Sequence, residues 1–234
     1  MHTPAGEPRR SPFDAAAARR LREALGMTPA HIAYGIAAAY GIRLPPATVA
    51  AWEAGERTPS EAELAALAGA LWCAPAELLG SPQTLRGHRL ARGLATADLA
   101  RAIGMDPAAY ARLEDGGRWR GTERQAAALA GALALPLPAL IRFTGREARL
   151  TELLTGAVTT RWQAAVRPVG TVVPLPGRLL REVLRELHTD YRATVAATLH
   201  WGGGARAEES GRAGRAFLDG ILAEFWSRVD ASHP

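Results

Sequence analysis

Residues 96–116 read TADLARAIGMDPAAYARLEDG, and the fold turns on how this stretch is parsed. Leu99 and Ile103, then Tyr110 and Leu113, recur at three- and four-residue spacings, so each half carries one apolar stripe of helical period. Gly104 separates the halves where a tight turn needs positive φ, and apolar Met105 follows it. Ala100 is small where two helices would cross closely. Asp106 is placed to cap the second helix, with Pro107 in its first turn. The stretch predicts two short helices joined by a tight turn, the spacing of a helix-turn-helix unit. An ordinary helical hairpin is the plainer alternative.

What flanks the stretch argues for the unit. Residues 61–79, EAELAALAGALWCAPAELL, align with 123–141, ERQAAALAGALALPLPALI. They share an A-x-x-x-L-A-G-A-L core in which Leu67 and Leu71 match Leu129 and Leu133. Each copy follows a predicted helix pair and a Trp-Glu or Leu-Glu step, as in LPPATVAAWEAGERTPS (44–60). Two homologous modules are expected, over 14–80 and 81–145, after a flexible tail at 1–13 and before a helical C-terminal domain at 146–234. Helical patterns run almost throughout, so the fold class is all-α. Only VGTVVPLPG (169–177) looks extended, and its prolines favour a linker over a strand.

On these motifs the sequence resembles the Cro/C1-type (XRE) family of lambda-repressor-like DNA-binding domains, over roughly residues 17–80 and 84–142, with WEAGERTPS the most specific piece. The resemblance implies two tandem five-helix domains, each with a second and third helix forming the DNA-binding unit. The first copy departs from the pattern. Ile32, Ala33 and Ile36 match the second helix, Val49 and Trp52 the third, and the turn glycine becomes Gly41. That demands about four extra residues in the second helix, close to one turn, so the apolar face survives. About two more enlarge the turn around Arg43 and Leu44.

The resemblance places Pro46, Ala47, Ala50, Ala51 and Ala54 on the groove side of the first recognition helix, where none can hydrogen-bond a base edge. Arg43, Thr48 and Arg57 are the polar candidates beside it, and Ala47 and Ala51 can at most touch a thymine methyl. In the second copy the candidates are Thr96, Arg101, Ala108 and Arg112, with Arg118 and Arg120 in the basic loop GGRWRG (116–121). Arg112 could read guanine, while Asp106 and Asp115 oppose phosphate approach. The family's usual Gln at the start of the second helix is replaced by Pro29 and Thr96. Trp119 either joins a phosphate or minor-groove contact or tucks onto the domain.

Composition sets limits. Every basic residue other than histidine is arginine, and the net charge of +5 is unevenly spread. Residues 14–80 carry five Arg against seven acids, whereas 81–145 carry nine against five. A basic segment favours a polyanionic partner. The single Cys73, in ALWCAPAELL, excludes an internal disulfide, suits a reducing cytoplasm and reads as a small core residue. No membrane span and no signal peptide are expected.

The C-terminal domain is expected to hold three helices, about 146–166, 178–201 and 206–230. Leu218, Leu222, Phe225 and Val229 form a stripe on the last, broadened by Ile221 and Trp226. It suits either burial in the domain or dimerisation. Trp162, Trp201 and Trp226 read as core, although a pocket for a small-molecule effector between these helices stays open. WGGGARAEESG (201–211) reads as a flexible connection rather than a phosphate loop. His31, His88, His188 and His200 are scattered, without metal-ligand spacing. Glu182 and Glu186 share a face with Arg178, Arg181 and Arg185 and read as surface ion pairs rather than an acid–base couple. No catalytic centre, metal or cofactor is expected.

The function that follows is a cytoplasmic, dimeric transcriptional regulator binding double-stranded DNA, partly through phosphates and shape. A protein-interaction scaffold that keeps the helix-turn-helix shape is the first alternative. A regulator defined by a metabolite pocket in its C-terminal domain is the second.

Overall fold

The computed structural model describes residues 13–196 and 204–231, the stretch 204–211 by its backbone alone. Most of the tail (1–12), His200, Trp201 and residues 202–203 lie outside these residues, whereas 204–211, expected to belong to a flexible connection, form the start of a helix over Gly204–Asp219. The chain is all-helical, with no strand among the described residues; a lone bridge joins Phe13 to Leu79. Contacts divide it into two compact units, residues 1–117 with 121–135, and 118–120 with 136–234.

The first unit holds α1 (Ala15–Ala24), α2 (Pro29–Tyr40), α3 (Pro46–Glu53) and α4 (Glu61–Ala70), then a 3-10 turn at Pro75–Leu78. These are followed by α5 (Leu85–Ala91), α6 (Thr96–Ala102), α7 (Pro107–Glu114) and α8 (Glu123–Leu133). The cap and turn expected around α7 are formed. Asp106 accepts a hydrogen bond from the Ala109 N–H at the start of α7, and Gly104 adopts φ of 66° in the turn before it. Ser60 and Glu63 form a capping box at α4, and Thr122 and Gln125 form another at α8. Gln125 also donates to the Gly104 carbonyl, tying α8 to the turn between α6 and α7.

The internal repeat reaches the level of single hydrogen bonds. Arg22 on α1 donates through Nε and Nη2 to Glu53 at 2.6 and 2.7 Å, and through Nη1 to the Met27 carbonyl. Arg89 on α5 does the same with Glu114, at 2.7 and 3.0 Å, and with the Leu94 carbonyl. The partners are 31 residues apart in the first clamp and 25 in the second. The difference of six equals the expected insertion. Gly41, at φ of 69°, caps a longer α2, and Arg43 and Leu44 sit in the enlarged turn. The ends of α4 and α8 also agree: Trp72 and Ala134 are both left-handed, at φ of 56° and 46°, and Cys73 and Leu135 donate back to Ala68 and Ala130. Tyr40, in the added turn of α2, covers Gly69 so closely that a Cβ there would collide with its hydroxyl; nothing faces the matching Gly131.

Ile32, Ile36, Val49, Trp52, Leu64 and Leu67 pack the core of the first repeat. Leu90 and Ala91 of α5 pack against it, and Arg89 Nη2 reaches Glu61 at 3.0 Å. The segments 14–80 and 81–135 thus cohere as one unit, a grouping that departs from a boundary at 80/81. The expected boundary at 145/146 shifts as well. α9 (Leu137–Phe143) follows α8, and its Ile141 packs with Leu150 and Leu154 in the second unit, whereas the equivalent Leu79 stays in the core of its own repeat.

That second unit also contains α10 (Glu147–Thr159), α11 (Trp162–Val172), α12 (Gly177–Ala196), α13 (Gly204–Asp219) and α14 (Ile221–Ala231). Among the described residues it therefore has five helices after residue 145, not three. Val169–Val172, expected to be extended, close α11. Burial of Val169, Val172 and Val173 beside α10 and α12 outweighs their β-branched preference, and Pro168 is accommodated inside the helix. The expected last helix breaks at Gly220. Phe225 and Val229 are buried in this unit's own core, with Leu218, Leu222 and Trp226 half-buried against it. A dimer contact through Phe225 or Val229 would require that core to open.

One buried group makes alkaline stability testable. The Tyr110 hydroxyl lies beside Glu114 without a partner of good hydrogen-bonding geometry. Burial first, and then that carboxylate, raise its ionisation well above the usual range. The unfolded chain therefore loses this proton first, so above about pH 10 stability falls with pH. Tyr110→Phe is expected to flatten this slope and leave stability at pH 7 unchanged or slightly higher, as read by urea titrations at pH 8 to 11. Equal slopes in both proteins would refute the assignment.

Candidate nucleic-acid interface

The two clamps sit under corresponding helices and fix which way each turns. In α3, Val49 and Trp52 are buried at 1% exposure, which leaves Pro46, Ala47, Ala50 and Ala54 facing out, with Ala51 half-buried. Thr48 departs from expectation. At four residues from Trp52 it shares the core face and is itself buried, so it is not part of the outer face of α3. The outer surface of α3 is thus proline and alanine, bordered by exposed Arg43 and Arg57. Both arginines are without an ion-pair partner among the described residues.

α7 offers more. Tyr110 and Leu113 are buried, Ala108 and Arg112 are exposed, and Arg112 makes no ion pair among the described residues. The opposing carboxylates are partly occupied: Asp106 caps the helix, and Asp115 binds Arg86 at 3.1 Å. Arg101 is less available than its sequence position suggests, because Asp98 holds it at 2.8 Å. Thr96 is half-buried at the first position of α6 and makes no cap bond.

Among the described residues, Arg43 and Arg57 beside α3 and Arg112 on α7 are therefore exposed cations without an ion pair. Arg118 and Arg120 are exposed and group with the second unit. Trp119 between them is half-buried, with an indole N–H that is buried and unpartnered.

Other candidates resolve into structural roles. His31 Nδ1 accepts the Thr28 N–H in the capping box of α2, and His188 Nδ1 lies 3.0 Å from the Val158 carbonyl. Cys73 is half-buried, and burial followed by the nearby Glu77 pushes its thiol up, away from thiolate chemistry. No cluster of metal-ligating side chains occurs among the described residues, and no helix there is long and apolar enough to cross a membrane. The ion pairs expected of Glu182 with its arginine neighbours are not formed. Arg178, Arg181 and Arg185 instead line an open cleft with Trp162. Sequence reading missed the clamp residues too, for which the only local signal was the glutamate after Trp52 and Leu113.

Comparison with protein-family models, with curated proteins and with solved structures gave no match.

Proposed function

We propose that the chain is a DNA-binding transcriptional regulator. It would present two lambda-repressor-like helix-turn-helix repeats in tandem, with its C-terminal helices serving self-association or effector binding. The observation that carries this reading is the repeated frame: an identical Arg–Glu clamp beneath each helix pair leaves the outer faces of α3 and α7 uncovered, with free arginines at their borders. The scarcity of hydrogen-bonding side chains on α3 assigns most affinity to phosphate contacts and most base discrimination to Arg112.

Selection from a random duplex pool tests the reading directly, and a pool that stays unselected would end it. On a selected site, Arg112→Ala should relax preference at one base pair by about 1–3 kcal/mol. Arg43→Ala should lower affinity for all sequences alike and reduce the salt slope by about 0.9. An unchanged slope would remove Arg43 from the interface.

A protein-interaction scaffold is a second reading with its own support. α2 carries no Asp, Glu, Lys or Arg, and its Tyr34 is 77% exposed; Trp72, strained in the left-handed region, is 86% exposed. Such a surface suits a protein better than a phosphate backbone. Failure of DNA selection, together with a defined complex lost on Trp72→Gly, would favour it.

A further inference from the structure

The second unit holds a cleft of about 290 Å³ lined by Trp162, Arg178, Arg181, Glu182 and Arg185. α12 runs past the first turn of α11 here. Its arginines recur at spacings of three and four residues and so share one flank. Three guanidinium groups on one flank repel each other. Two arginines of this unit are paired, Arg149 with Glu152 and Arg228 with both Glu224 and Asp190, while Arg161, Arg167 and Arg192 are exposed and unpaired but stand apart from the cleft lining. The three around the cleft are exposed and have no ion pair among the described residues, although Glu182 is their neighbour on the helix. No ion pair among the described residues offsets this repulsion, and an anion in the cleft would relieve it.

We propose that this cleft binds a free nucleotide, with its phosphates on Arg178, Arg181 and Arg185 and its base against Trp162. Guanidinium forks match phosphate oxygens in bidentate geometry and lose less order than ammonium groups in doing so. The indole supplies what a bare anion site lacks. Trp162 is half-buried against the core of the unit, so it offers a fixed flat surface, and stacking on such a surface is indifferent to which base is presented. Glu182 can accept from an exocyclic amine or a sugar hydroxyl. A duplex fits less well: its bases are already stacked, and Glu182 stands against a continuous run of phosphates. The proposal is independent of DNA binding by the first unit, and its test contains no duplex-dependent step.

Isothermal titration of the full chain with ADP, GDP and inorganic pyrophosphate reads the site. The diphosphates should bind, and each about tenfold or more tightly than pyrophosphate, the difference being the stacked ring. Arg181→Gln should weaken ADP by about tenfold or more, since it removes a charge-assisted bond. Arg181 is exposed and unpaired, so the variant should melt as the parent does, and Arg178→Gln provides an independent second variant. Absence of binding at millimolar ADP overturns the proposal, as does pyrophosphate binding as tightly as ADP. So does an ADP affinity indifferent to both substitutions. A single-stranded oligonucleotide that displaces ADP at lower nucleotide concentration, and loses affinity in both variants, would replace the free nucleotide by a polymer.

Discussion

Arg89→Ala is expected to destabilise the first unit by about 3–5 kcal/mol, the range for removing one partner of a buried ion pair. The side chains of Arg89 and Glu114 are both only 2% exposed. Burial alone would make the guanidinium easier to deprotonate, but its bonds to Glu114 and then Glu61 reverse this and hold it firmly charged. Without Arg89 the Glu114 carboxylate is left beside the Tyr110 hydroxyl, with Arg86 at 3.7 Å as its one remaining ion-pair partner among the described residues. The Leu94 carbonyl and Glu61 lose a donor as well.

Context sets this magnitude. Arg149→Ala removes a pair whose members are both more than half exposed, and its effect should be close to nothing. Replacing both clamp partners by apolar residues of similar volume, Arg89→Met with Glu114→Leu, should recover most of the loss, because no buried charge is left alone. Urea unfolding, with hydrogen exchange of α5–α8 amides as the local probe, measures all three. A loss below 1 kcal/mol in Arg89→Ala would mean that Glu114 finds water, and the clamp would then not be what holds α7 in place.

The clamp also marks where sequence ceases to be legible. Gly104, Ala100, Asp106 and Trp52 announce their roles because each role is local: a turn, a close crossing, a cap, a buried face one helical turn wide. The six-residue insertion was legible for the same reason, since adding nearly a whole turn leaves Ile32 and Ile36 on the core side. Arg22 with Glu53 and Arg89 with Glu114 were not, because a partner 31 or 25 residues away leaves no periodic trace. Among so many arginines, a buried one looks like any other.

Thr48 was misplaced by giving its hydroxyl more weight than its four-residue spacing from Trp52. α11 was misread because Val169, Val172 and Val173 owe their helix or helix end to neighbours on α10 and α12 rather than to their own preference. At the candidate interface, Arg43, Arg57 and Arg112 were legible as exposed cations. What Asp98 does to Arg101, and Arg86 to Asp115, depends on rotamers that no spacing rule fixes.

Phe225→Ala is expected to cost the second unit about 3–5 kcal/mol, the range for emptying a buried phenylalanine site. Phe225 is fully buried among the helices of its own unit, and its ring meets Trp226 edge-on at 4.9 Å, an aromatic contact that adds to simple burial. The same stripe would suit a dimer interface if sequence spacing were the only guide, and the two arrangements differ in how stability depends on concentration. A residue buried within one chain lowers the melting temperature by the same amount at any protein concentration. A residue buried between chains lowers it more in dilute solution, because the folded state is then linked to association by mass action. Melting curves of the parent and Phe225→Ala over a hundredfold range of concentration separate these cases, with Trp226 fluorescence as the local signal. A constant difference places Phe225 in the core of the monomer, where α10, α12 and α14 enclose it. Half-buried Leu218 and Leu222 are then the residues of the stripe still able to meet a partner, and Leu222→Asp is the variant in which a change of mass should be sought.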